Sequence, residues 1–272
     1  MITSLFLIAM QAQPLPGDPM AFPEPIERPA RETADTAAMP GPSARLRDCL
    51  QATLNDAPAA LLSAREWRLE AAGLTSVEAI HCEGMALLQS DRPDEAHTVF
   101  VEGHDALGTD QHAYRARMSA LAGMAAMVAD RPGDAFDLLG QARGEAMAAG
   151  ASTLALELAL DQARAAQAAG DADTAGAMLA DLRERDPNNL TVWLASVQTA
   201  REAGQYDEAE RYVAHARALQ PGNREIDLEA GLLAMAKGDT ATARTTFDAV
   251  AQSDTPYAAL AREFLSQLDE TQ

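Results

Sequence analysis

Apolar and small residues recur along this chain at helical spacing. In the C-terminal half, Gly170, Gly204 and Gly238 are each followed five residues on by alanine (Ala175, Ala209, Ala243). Nine residues on comes a larger apolar residue (Leu179, Val213, Phe247), and twelve on another apolar one (Leu182, Ala216, Val250). Steps of three and four place such residues on one face of an α-helix. The three glycines are evenly spaced, and Pro187, Pro221 and the Thr255-Pro256 pair close the three units. The period, about 34 residues, is that of an array of short helical units. Each unit therefore predicts two helices joined by a tight turn. In the unit that begins at Leu190, the first helix is expected over 190–203. Gly204 ends it, because a helix C-terminus favours a residue free to take positive φ. The second helix is expected over 207–219, with Asp207 as its N-cap and Pro221 as its stop.

The same pattern extends toward the N-terminus and predicts six copies. The last three begin near Leu156, Leu190 and Arg224. The third runs from about Ala116 through Gly123, Asp130 and Ala135, and the second starts near Val77 with Gly84, Asp91, Ala96 and Phe100. Spacings of 39 and 40 around the third copy imply longer helices or loops there. The first copy, 41–73, is the most degenerate, as terminal copies of an array tend to be. Residues 257–268 predict a closing helix. One hairpin cannot bury both of its apolar faces, so the copies must stack. The fold class is all-α, an α-solenoid of about six helix-turn-helix repeats plus a C-terminal capping helix.

This arrangement resembles the tetratricopeptide repeat family. Trp193 matches the family's aromatic position, and Gly84, Gly123 and Gly231 match the glycine of the first helix. Ala96, Ala135, Ala175, Ala209 and Ala243 match the first alanine of the second helix, and Phe100 and Phe247 its phenylalanine. Pro187 and Pro221 match the terminal proline, whereas the first-helix tyrosine is absent throughout. The resemblance implies a right-handed solenoid whose first helices line a groove that holds a peptide or partner helix. Carried onto this sequence, the groove positions are His81, Met85 and Leu88, then Ala120, Met124 and Met127. They continue through Leu160, Arg164 and Gln167, then Leu194, Gln198 and Arg201, and end at Leu228, Leu232 and Met235. Met suits adaptable binding surfaces. Arg164 and Arg201 are expected to be able to hold a carboxylate or peptide carbonyls. The Lys/Asn constellation that clamps C-terminal carboxylates in some family members is missing.

Composition agrees with packed helices. Apolar residues make up 47% and aromatics only 4%, so the core must be built from alanine and leucine. The net charge of −20 disfavours nucleic acid and anionic membranes and favours basic partners. Residues 2–10 form a short apolar run with Ala12 after it, the pattern of a secretory signal peptide, expected over 1–12. The run is too short to span a bilayer in the mature chain. Eight prolines and interspersed acids make 13–42 a Pro-rich, disordered linker, leaving 43–272 as the repeat domain.

The separation of Cys49 and Cys82 is close to one period, which sets them on the first helices of successive copies. With an export signal, a disulfide between them is expected; two buried thiols are the alternative. The signal-like start, the cysteine pair and the use of arginine over lysine point to a bacterial periplasm, with a cytoplasmic location as the alternative. The histidines (His81, His97, His104, His112, His215) form no metal-ligand motif, and no nucleophile elbow, phosphate loop or dinucleotide fingerprint is present. No catalytic, cofactor or metal residues are therefore assigned. The expected function is a non-catalytic protein-interaction scaffold in the cell envelope, whose partner is a protein or peptide. The alternative is a non-catalytic oligomerisation or adaptor subunit of a larger enzyme or secretion complex, cytoplasmic or membrane-tethered.

Overall fold

The computed structural model describes residues 41–270. The expected signal peptide (1–12) and nearly all of the expected linker (13–42) lie outside the described residues. Thirteen helices and no strands are found among the described residues. They form six hairpins: α1 (Ala44–Asn55) with α2 (Ala57–Glu70), α3 (Leu74–Gln89) with α4 (Pro93–Asp105), and α5 (His112–Val128) with α6 (Pro132–Ala148). Then come α7 (Ser152–Ala168) with α8 (Ala172–Arg185), α9 (Leu190–Glu202) with α10 (Tyr206–Leu219), and α11 (Arg224–Ala236) with α12 (Thr240–Ala251). The closing helix α13 spans Tyr257–Glu270. The odd-numbered helix of each pair is called A below, and the even-numbered one B.

Backbone chemistry places the turns where the glycine pattern put them. Gly170, Gly204 and Gly238 have φ of 81°, 72° and 79°. In the second and third hairpins Asp91 and Asp130 stand at the equivalent position and take the same left-handed conformation, both at φ 57°. Aspartate is among the few residues that tolerate it. Asp171 and Asp239 are true N-caps, accepting hydrogen bonds from the amides of Thr174 and Thr242. Asp207 is not one. The chain enters α10 one residue earlier, Gln205 holds the cap position, and Asp207 sits in the first turn, where a carboxylate suits the helix dipole. The extra residues of the middle repeats go both into helices and into a loop. α5, α6 and α7 are each 17 residues long, and a six-residue connection joins α4 to α5.

Within each of the last five hairpins, an A-helix residue and a B-helix residue 16 positions later meet across the interface, and their sizes compensate. Gly84 faces Phe100 and Gly231 faces Phe247. A Cβ at either glycine would stand 2.3 Å and 2.5 Å, respectively, from a ring carbon. Gly123 faces Leu139, where a Cβ would lie 2.9 Å from Cγ. At the same two positions the fourth and fifth hairpins carry Ala163 with Leu179 and Val197 with Val213, and all four are buried. A large B-helix residue is thus paired with a bare A-helix backbone, and a medium one with a medium one. Close-packed interiors require this conservation of volume.

Between hairpins, every A helix from α3 onward packs on the B helix before it: α3 on α2, α5 on α4, α7 on α6, α9 on α8 and α11 on α10. α13 closes the series on α12. A helices also meet directly, α1 with α3, α7 with α9, α9 with α11 and α11 with α13. The α1–α3 contact carries the Cys49–Cys82 disulfide, with Cα atoms 6.1 Å apart. Beside it, Glu83 is buried between Arg65 and Arg68 at 2.9 and 3.0 Å, and Arg68 also reaches Glu102 at 2.6 Å. α2, α3 and α4 are thereby tied by one ionic cluster.

Two outcomes follow. Gly231→Ala should lower the unfolding free energy by about 1–3 kcal/mol, because its methyl overpacks Phe247. In urea unfolding, the pair Gly231→Ala with Phe247→Leu should lose less than the sum of the single changes; strict additivity would refute size compensation. Replacing both cysteines by alanine should cost roughly 3–4 kcal/mol on the chain-entropy account of a loop this size. An unfolding midpoint unchanged by reductant would show that the bridge holds nothing.

Candidate functional site

The groove positions carried over from the repeat pattern fall on α3, α5, α7, α9 and α11, one A helix after another. They divide into three groups. Met85, Met124, Met127, Gln167, Gln198, Arg201, Leu232 and Met235 are partly exposed, as are Leu88 and Ala120, and Arg164 is exposed. Leu160, Leu194 and Leu228 are 7%, 9% and 4% exposed, so they do not form part of an open surface. Leu160 packs with Ala163, Leu179 and Val192, and Leu194 packs with Val197, Val213 and Ile226. The reason lies in stacking: each of these leucines is covered by its own B helix together with the next helix of the array. His81 is buried too. Its Nδ1 has no hydrogen-bond partner among the described residues, and burial, assisted by the nearby Arg117 charge, pushes its pKa down to about 3.

At the N-terminal end of this face Met85, Leu88 and Met124 lie against the second-hairpin core, while Met127 and Ala120 lie against the third. At the C-terminal end Leu232 and Met235 lie against the core that α13 completes. Between them the face is polar and internally bonded. Gln167 donates to Glu202 at 2.7 Å and accepts from the Thr199 hydroxyl at 2.7 Å, joining α7 to α9. Gln198 donates to the same Glu202 at 3.3 Å.

The two arginines expected to hold a ligand carboxylate already face carboxylates of their own chain. Arg164 donates to Asp161 at 2.9 Å. Arg201 lies 3.5 Å from Glu202 and 3.6 Å from Glu229, and Arg201 and Glu229 each have side chains only 18% exposed. Burial raises the Glu229 pKa, the Arg201 charge lowers it, and neighbouring Glu202 and Glu225 raise it further. The carboxylates Asp161, Glu202, Glu225 and Glu229 thus outnumber the cations Arg164 and Arg201 in this stretch. Sequence reasoning missed the glutamates. Their signal there was the overall acid excess together with the adjacency of Arg201 and Glu202.

Residues 200–268, from the end of α9 through α13, match the tetratricopeptide repeat family model. No curated protein sequence matches the chain. Among solved structures, a Podosopora anserina putative kinesin light chain with TPR-like repeats is similar at 18% identity and TM-score 0.56, covering 65% of this chain and 95% of that one. Pseudomonas aeruginosa pilF is similar at 15% identity and TM-score 0.56, covering 82% and 98%. NprR in complex with its cognate peptide NprX is similar at 13% identity and TM-score 0.55, covering 81% and 68%. The described residues form an all-α helical-repeat solenoid similar in fold to these structures and, over residues 200–268, similar to the tetratricopeptide repeat. Residues 200–268 carry that repeat in sequence as well as in fold.

A raised carboxyl pKa gives the Glu229 site a definite pH sign. The group favours folding while protonated, and that contribution is lost as pH rises through its folded-state pKa. Glu229→Gln should therefore gain thermal stability relative to the parent as pH is raised from about 4 to about 7. A difference in melting temperature that is flat or shrinking across that range would contradict the burial of this charge.

Proposed function

We propose that the protein is a non-catalytic scaffold that binds a peptide or partner helix along its A-helix face, in the bacterial cell envelope. The observation that carries this reading is the partly exposed row of Met85, Met124, Met127, Leu232 and Met235 on either side of a polar centre. Flexible thioether and leucine side chains supply adaptable apolar contact to a helix or extended peptide. The centre favours a ligand with basic or neutral groups, because its own arginines are matched and carboxylates are in excess. The fold of NprR, which has been solved with a cognate peptide, supports peptide binding as a use of this architecture. Export to the periplasm is supported by the short apolar start of the sequence and by the Cys49–Cys82 bridge, since disulfides persist in oxidising compartments.

The test is co-purification from the envelope fraction with the parent chain and with Met124→Glu combined with Met127→Glu. These side chains are partly exposed, so the helical circular dichroism spectrum should be preserved. The bound partners should be lost, and binding by the parent should weaken with added salt. An unchanged partner set on a folded double variant would remove the A-helix face from consideration.

A further inference from the structure

In every later hairpin the A helix is covered by the B helix that precedes it, but α1 has no such cover among the described residues. Its open side joins α2 around a cavity of about 430 Å³, lined by Arg45, Ala52, Asp56, Ala59, Ser63 and Trp67 among others. One buried donor there is unmet, and one cation is stacked but not ion-paired. Trp67 is 2% exposed, and its indole Nε1–H finds no acceptor among the described residues. The Arg45 guanidinium lies 4.5 Å above the Trp67 ring and has no carboxylate partner among the described residues. A buried donor without an acceptor is costly, and native proteins seldom leave one unmet.

The geometry points to a second copy of this chain as the occupant, packed α1 against α1 about a two-fold axis. Two charges at opposite ends of the helix are self-complementary in that arrangement. Arg45 stands in the first turn of α1, and Asp56 is the residue that ends it. The two are about 16 Å apart along the axis. Antiparallel packing sets Arg45 of each copy beside Asp56 of the other, and small Ala52 permits close approach. An isologous contact of this kind closes after two copies. It gives α1 the helix that every other A helix has. Apart from α1 and α2, it uses none of the A-helix face, so it stands or falls independently of the scaffold reading.

Sedimentation velocity of the full chain tests it. The parent should run at twice the protomer mass and dissociate on dilution. Arg45→Glu alone and Asp56→Lys alone should each run at the protomer mass, since each juxtaposes like charges twice. An equimolar mixture of the two should recover the dimer, because both cross-pairs then become opposite in sign. Asp56 also caps α2, accepting from the Ala59 amide, so Ser63→Arg provides a second route. It should give the protomer mass without touching a cap. A parent that is monomeric at all concentrations, or a dimer that survives all three changes, would overturn the proposal. So would failure of the folded variants to recover on mixing. A monomeric full chain that dimerises once residues 1–40 are deleted would assign the cavity to the chain's own leading segment instead.

Discussion

The structure depends on volume shared across one recurring contact. An A helix and its B helix approach closely only because the residue sizes at two positions 16 apart are matched. Gly84 with Phe100, Ala163 with Leu179 and Val197 with Val213 solve the same packing problem in three ways. Helix crossing and spacing within a hairpin follow from it, and so does the face each hairpin offers to the next. With only 4% aromatic residues, the two phenylalanines of this contact are among the largest fully buried side chains. Alanine elsewhere keeps neighbouring helices close enough for dispersion contacts to accumulate.

Much of this was legible beforehand because helix periodicity and turn chemistry are local. Gly170, Gly204 and Gly238 announced their turns, since positive φ is a property of one residue and its neighbours. Asp91 and Asp130 were visible as members of the pattern. Their left-handed conformation was not, because aspartate serves equally as an N-cap, as Asp171 and Asp239 show. The α10 cap was misplaced at Asp207 for a related reason: the best capping residue does not mark the boundary here, because Tyr206 packs against the hairpin core as the first helical residue and Gln205 takes the cap position with no side-chain hydrogen bond.

The candidate face was legible as a row of positions, but its chemistry was not. Whether Leu160 or Leu194 is open depends on how closely the next helix of the array approaches, a distance set between repeats and not by any one of them. Whether Arg164 and Arg201 are available depends on carboxylates that include Glu229, which the next A helix brings to Arg201 from a different repeat. Asp161 and Glu202 stand on the same helices as the two arginines, and stacking adds Glu229, which leaves the stretch net acidic. The −20 charge of the whole chain was the better guide to its preference in ligands.

The Cys49–Cys82 bridge gives the solenoid a direction. A linear array whose members touch only their neighbours loses order from its ends, where each terminal unit is held on one side. Here the two ends are not equivalent. The first hairpin is fastened covalently to the second and gripped by the Glu83 ionic cluster. The last helix, α13, rests on α12 and α11, with the Arg244–Asp269 pair, largely open to solvent, spanning α12 and α13. Among the described repeats, local opening therefore costs more around the first two hairpins than around α12 and α13.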